Sequence, residues 1–227
     1  MKFNIYLVEY IQNTIKVVYF KLVGDTMFIG VCPKCGKFDT KKSVETHENI
    51  SYSICEECGN SHEFNRLPLF VVIGSSGSGK TSVCLEMSKI TQDFICLDGD
   101  IFLAMSAATN GNWDDFRYLV MEICANISQY GKPVALFHSG MPDDYTNNKM
   151  AKFFDKIVTI GIYADENVIV ERLSNRPKWR QSSSTEFIER MIGYNKAVSD
   201  IIPVVNTTDK DSLTSAKEIL EILKSNF

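Results

Sequence analysis

Two rhythms of apolar residues divide the chain. From residue 68 onward, short continuous apolar runs alternate with longer segments in which apolar residues recur every three or four positions. The runs are PLFVVIG (68–74), DFICLDGD (93–100), PVALFHSG (133–140), KIVTIGIYA (156–164) and IPVVNTT (202–208). The first reads as a strand buried on both faces, and the others as further strands. The segments between them read as helices. One follows Gly79, with Val83, Met87 and Ile90 on its apolar side; a second spans 113–131 and is closed by Gly131. Others span 165–176, ending ahead of Pro177, then 184–200 and 211–225. Five strands separated by helices predict an α/β architecture, a five-stranded parallel sheet covered on both faces. Before residue 68 the pattern changes. FNIYLVEY and IKVVYFKLVG, on either side of IQNT, read as a hairpin, and SYSICEEC and HEF as further short strands. We expect two domains, 1–67 and 68–227, the second opening at Pro68.

Charge sharpens that division. Of 227 residues, 44% are hydrophobic, enough for one substantial core and a small appendage. The first 67 residues carry eight basic and eight acidic side chains, and the remainder sixteen and twenty, which supplies the whole net charge of -4. A surface built for nucleic acid has no support in that balance, although a local patch remains possible. No apolar run approaches 18 residues, so no membrane partner is expected. The N-terminus carries Glu9 within its apolar stretch and has no small-residue cleavage site, unlike a secretory leader. Seven cysteines, four of them in two CxxC pairs, suit metal binding in a reducing, cytoplasmic setting better than a disulfide framework.

The strongest chemical signal is Gly74-Ser75-Ser76-Gly77-Ser78-Gly79-Lys80-Thr81, followed by Ser82, between the first apolar run and the first helix. It fits GxxxxGK[ST] at every fixed position. Glycines let successive N–H groups turn toward phosphate oxygens, and the helix that follows presents its positive end. Lys80 then reaches the outer phosphates, and the Thr81 hydroxyl is placed to ligate magnesium. ATP and Mg²⁺ are the expected cofactors.

Three further features point toward transfer. Asp98 and Asp100 end the second strand two residues apart, on one face, where parallel sheets bind ligands. Asp-Gly-Asp is also ordinary turn chemistry. Arg172, Arg176, Lys178 and Arg180 form a cationic run that would neutralise charge on a transferring phosphoryl group; a plain solvated loop is the alternative. Asn206 and Thr207, at the last strand's end, offer groups to a base, or serve only the capping of the following helix. His138, Trp113 and Trp179 read as packing residues more than as ligand contacts, and Cys84, Cys96 and Cys124 as small buried hydrophobes.

On Gly74–Thr81, Asp98-x-Asp100 and Arg172/Arg176/Arg180, residues 68–227 resemble the small P-loop kinases that include shikimate, gluconate, adenylylsulfate and nucleoside monophosphate kinases. RLSNRPKWR looks most like nucleotide kinases assigned by fold alone. The resemblance implies Asp98 on the metal, Asp100 on the acceptor hydroxyl, Arg172 near the adenine, and Arg176 or Arg180 on phosphates. The sequence also departs from these families. The arginine expected after LDGD is absent, and ALFHSG places His138 and Ser139 where a magnesium-linked aspartate is usual. The expected function is ATP-dependent phosphoryl transfer to a small hydroxylated acceptor, a nucleoside or nucleotide foremost. A nucleotide-dependent regulatory module and a polynucleotide 5′-hydroxyl kinase are the alternatives.

Cys32, Cys35, Cys55 and Cys58 have nineteen residues between the inner pair. This spacing suits two knuckles that complete a tetrahedral, closed and therefore structural zinc site. Gly36 and Gly59 follow the second cysteine of each pair. The block looks like the zinc ribbons found across many unrelated proteins, and Zn²⁺ is the third expected cofactor. His47 and His62 are alternative ligands, disfavoured with four cysteines at hand.

Overall fold

The computed structural model describes residues 6–11, 14–19, 29–39, 41–177 and 182–227. Among the called residues, Lys178, Trp179 and Arg180 lie outside these ranges, as do the tip and outer ends of the expected N-terminal hairpin. The chain divides into two compact units, Met1–Phe64 and Asn65–Phe227.

In the first unit, β1 (Tyr6–Ile11) and β2 (Thr14–Tyr19) pair antiparallel, with Ile11 opposite Thr14. Among the described residues they form their own two-stranded sheet, separate from the second sheet of the unit. The second sheet is β3 (Lys42–His47), β4 (Ile50–Cys55) and β5 (Ser61–Phe64), antiparallel throughout. The β3–β4 turn uses Glu48 and Asn49, both at positive φ (50° and 68°), which suits a two-residue hairpin.

The second unit begins with β6 (Leu69–Gly74), whose six residues are all buried. It is followed by α1 (Lys80–Ile90), β7 (Ile95–Asp98), a 3₁₀ segment (Gly99–Thr109), α2 (Trp113–Ile127) and β8 (Val134–His138). Next come α3 (Pro142–Thr146), β9 (Ile157–Tyr163), α4 (Glu166–Ser174), α5 (Thr185–Ile201), β10 (Val204–Asn206) and α6 (Ser212–Ser225). The five strands form one parallel sheet in the order β10-β9-β6-β8-β7. This is the predicted architecture, with the strand that leads into the glycine loop at its centre. Phe70 and Val72 pack with Val83, Cys84 and Met87 of α1 and Ile219 and Leu223 of α6. Strand alternation therefore sends Leu69, Val71 and Ile73, also fully buried, to the opposite face. On α1 the buried stripe is Val83, Cys84 and Met87, while Ile90 is exposed, because the helix ends there and turns away at Thr91.

Local signals set several boundaries. Asn112 accepts from Asp114 N and Asp115 N at the start of α2, Ser184 from Phe187 N at α5, and Asp211 from Thr214 N at α6. The helix expected over 113–131 is α only to Ile127, then tightens into a 3₁₀ turn (Ser128–Tyr130) before Gly131. There Gln129 is diverted to brace the start of the unit: its Nε2 donates to Asn65 O and its Oε1 accepts from Asn65 N. The 3₁₀ segment after β7 and the short α3 were not foreseen, since neither carries helical periodicity.

Phe137 is fully buried in β8, between β6 and β7. Phe137→Ala should cost about 3–5 kcal/mol of stability. Denaturant unfolding measures this, and a loss below about 1 kcal/mol would contradict the central placement.

Candidate active site and metal centre

The glycine loop between β6 and α1 is shaped by two backbone positions and fastened by side chains from inside and outside it. Gly77 and Gly79 sit at φ 91° and 103°, which turns the chain into the N-terminus of α1 and favours glycine at both positions. The Ser78 hydroxyl donates to Ser75 O (2.8 Å) inside the loop. From outside, the Thr207 hydroxyl donates to Ser78 O (2.8 Å), and Arg172 donates through Nη1 to Gly77 O (3.0 Å) and through Nη2 to Thr207 O (3.2 Å). Asn195 of α5 takes a hydrogen bond from the Ser75 hydroxyl (3.4 Å) and donates to Ala164 O (2.8 Å). Thr207 is 3% exposed and Asn195 4%, so both act as parts of the frame.

The loop lines a cleft of about 280 Å³. Ser75, Ser76, Gly77, Gly79, Lys80, Thr81 and Ser82 form one wall. Asp100, Arg172, Arg176 and Thr207 complete most of the rest. Lys80, nearly buried, donates to Gly74 O (2.6 Å) and Ser75 O (3.0 Å). Burial lowers its pKa to about 8; Asp100 and Asp98 oppose that shift, and Arg176 adds to it. The cleft thus gathers backbone donors, one desolvated ammonium and two guanidinium groups, the composition that a chain of phosphates requires.

Other called residues have different positions. Gly74 ends β6, and Ser78 is buried beneath the loop rather than lining the cleft. Asp98 Oδ1 accepts from Asp100 N (3.0 Å) and caps the 3₁₀ segment, so the turn chemistry of Asp-Gly-Asp is realised; Asp100 faces the cleft and Asp98 does not line it. Asn206 is exposed and accepts from Thr208 N (2.8 Å), away from the cleft lining. Lys210, Ser212 and Ser215 do line it and were not anticipated. Their signal lies in the polar stretch DKDSLTS, just beyond the residues assigned to the base. His138 is packed, as the sequence suggested: it is 4% exposed, and burial, reinforced by Lys80 and Arg117, lowers its pKa to about 4. Trp113 is not packed as expected. It is 54% exposed at the first position of α2, edge-on to Phe116 at 5.7 Å. Cys84 and Cys124 are buried, but Cys96 is only half-buried; burial pushes all three thiols up, to about 12, 12 and 11.

In the first unit the sulfurs of Cys32, Cys35, Cys55 and Cys58 lie within 4.8 Å of one another. Cys32–Cys58 is 3.7 Å and Cys35–Cys55 is 3.8 Å. A tetrahedron with Zn–S bonds of about 2.3 Å has sulfur–sulfur edges of about 3.8 Å, so the donor set fits zinc. The knuckles are matched turns: Gly36 N donates to Cys32 O and Gly59 N to Cys55 O, both 2.9 Å. The Cys35 N–H lowers the Cys32 thiol to about 6. His47 pairs with Glu45 (3.2 Å), and neither it nor His62 belongs to the cluster.

Neither a protein-family model nor a curated protein sequence matches the chain. Solved structures do match its fold. A sugar kinase from Janibacter sp. HTCC2649 is 16% identical with a TM-score of 0.50, over 70% of this chain and 95% of that one. The tunicamycin resistance protein of Deinococcus radiodurans is 15% identical with a TM-score of 0.51, over 70% and 96%. The class defined here is therefore the kinase-like P-loop fold, carried together with a small β-rich module holding a four-cysteine cluster. No helix among the described residues is long and apolar enough to cross a membrane.

Lys80 gives a pH signature. In the fold its ammonium form is penalised; that cost is absent above the unfolded pKa of 10.5, grows as pH falls to about 8, and is constant below. A bound polyphosphate reverses the bias by favouring the charged form. Triphosphate affinity should therefore fall as pH rises through about 8, by at most about tenfold per pH unit. Calorimetric affinities that stay flat from pH 7 to 9 would contradict this.

Proposed function

We propose that the chain is an ATP-dependent kinase of a small hydroxylated metabolite, of nucleoside, nucleotide or similar type. The observation that carries the reading is the single cleft in which Lys80 and the loop amides face Asp100, Arg172 and Arg176. The kinase-like fold supports it, and a sugar kinase is among the proteins sharing that fold.

The triphosphate lies on Gly74–Thr81, with Ser82 continuing the donor row at the N-terminus of α1. Lys80 leaves the Gly74 and Ser75 carbonyls for the outer phosphates. Arg176 and, from the same cationic run, Arg180 offset charge on the phosphoryl oxygens. Arg172 is already held by Gly77 and Thr207, so it braces the loop at the nucleotide's edge. Thr207, Lys210, Ser212 and Ser215 face the base and ribose; Asn206 offers its backbone. Asp100 orients the acceptor hydroxyl and takes its proton as oxygen attacks the γ-phosphorus; the bond from that phosphorus to the β-phosphate oxygen breaks, and ADP leaves. Thr81 offers a hard oxygen donor to magnesium, which, when bound, would screen the phosphate charge, whereas Asp98, expected on the metal, is engaged with the Asp100 amide and stands outside the cleft lining. Zinc on Cys32, Cys35, Cys55 and Cys58 is structural: four thiolates leave no open position.

Asp100→Asn should lower phosphoryl transfer by at least about a hundredfold and leave ATP affinity within a few-fold. Labelled ATP with a panel of nucleosides, nucleotides, sugars and oligonucleotides measures it, and unchanged turnover removes Asp100 from the mechanism. The purified chain should hold one zinc by elemental analysis. A strong chelator should strip amide-exchange protection from β3–β5 while β6–β10 keep theirs; protection that ignores the chelator argues against structural zinc.

A further inference from the structure

The first unit buries a charge that its own hydrogen bonds leave unbalanced. By strand alternation Lys42, Ser51, Ser53, Cys55 and Phe64 share one face of the β3–β4–β5 sheet, and all five are buried. Lys42 stands directly opposite Cys55 in the β3–β4 register and is 2% exposed. Apart from Lys80, no other lysine among the described residues is buried. Its Nζ donates to Ile29 O (2.5 Å), in the turn that leads toward Cys32. An ammonium has three N–H donors, so that one bond does not satisfy it.

No carboxylate pairs with Lys42 among the described residues. The acidic groups nearby have other partners: Asp39 Oδ1 accepts from Lys41 N (2.7 Å), and Glu57 lies 3.8 Å from Lys37 Nζ. Ser53 and His62, cross-strand neighbours on the same face, bring no anion. Burial works against the charged form of Lys42; the groups that favour it are Cys32, Cys55 and Cys35, then Asp39. A buried cation without a counter-charge is costly. Four thiolates around a divalent ion have the complementary excess, a double negative charge.

We propose that Lys42 is the counter-charge of the metal centre: its buried ammonium offsets the tetrathiolate's negative charge, tightening the hold on a divalent ion and subduing the reactivity of the sulfurs. This rests on the zinc reading above and deepens it. The same side chain penalises the empty site, because without the thiolate charge the ammonium stays buried and unbalanced. Lys42 thus links the order of β3–β5 to the presence of the metal.

Three variants of the full zinc-loaded chain test this. Lys42→Gln keeps a donor for Ile29 O and loses the charge; Lys42→Met keeps the apolar stem and loses both. Lys41→Gln removes the same charge from an exposed neighbour. In competition with a chromophoric chelator, both Lys42 variants should hold zinc at least about tenfold less tightly, and Lys41→Gln within about twofold of the parent chain. At saturating zinc, with amide-exchange protection of β3–β5 verified, iodoacetamide should alkylate the sulfurs of both Lys42 variants at least about threefold faster. The proposal is overturned if Lys42→Gln matches the parent chain in either measurement, or if Lys41→Gln shifts them equally. It is also overturned if both Lys42 variants lack protection at saturating zinc, which makes Lys42 a packing residue. Failure of the zinc reading shows separately, as a parent chain that takes up no zinc.

Discussion

Two hydrogen-bonded side chains, Arg172 of α4 and Thr207 after β10, hold the carbonyls of Gly77 and Ser78, and through them the shape of the loop on which the cleft depends. A phosphate-binding loop must aim its N–H groups inward, so its carbonyls point outward into the protein and need donors there. In this chain the donors come from elements 95 and 129 residues away in sequence. Fastened in this way, the loop meets an anion without first having to order itself.

Lys80 is the second consequence of that frame. Enclosed by the loop and hydrogen-bonded to its carbonyls, the ammonium is desolvated enough to titrate near pH 8, yet Asp98 and Asp100 keep it from losing its proton altogether. Desolvation lowers the cost of exchanging water for phosphate. Across the sheet, His138 applies the same device with the opposite outcome: burial leaves its imidazole neutral.

The first unit solves a different problem. Its described sheets have two and three short strands, too little to bury a sufficient core. The four sulfurs nonetheless stand at spacings suited to one metal ion, each pair on its own turn. A metal ion held there would supply the missing stability.

Much of this was legible in the residues. Apolar runs encode strands, and all five appeared, β6 buried throughout and the edge strands β7 and β10 only in part; GxxxxGK[ST] and paired CxxC encode local backbone geometry, which short sequence windows carry. Misreadings arose where long-range packing overrides local pattern. Asn206 and Thr207 looked alike in sequence, but one is turned back on its own loop and the other is buried as a brace. Ile90 and Trp113 have apolar side chains at helix ends that face solvent. Asp98 and Asp100 share a strand face by periodicity, yet the chain leaves the strand at Asp98, and only Asp100 reaches the cleft. By itself, then, the sequence determined the elements, the phosphate loop and the cysteine quartet, because each depends on neighbours a few residues apart. Only the tertiary structure decided the partners of Arg172, the burial of His138 and the pairing of Arg117, because burial and hydrogen bonding between distant segments are properties of the packed chain.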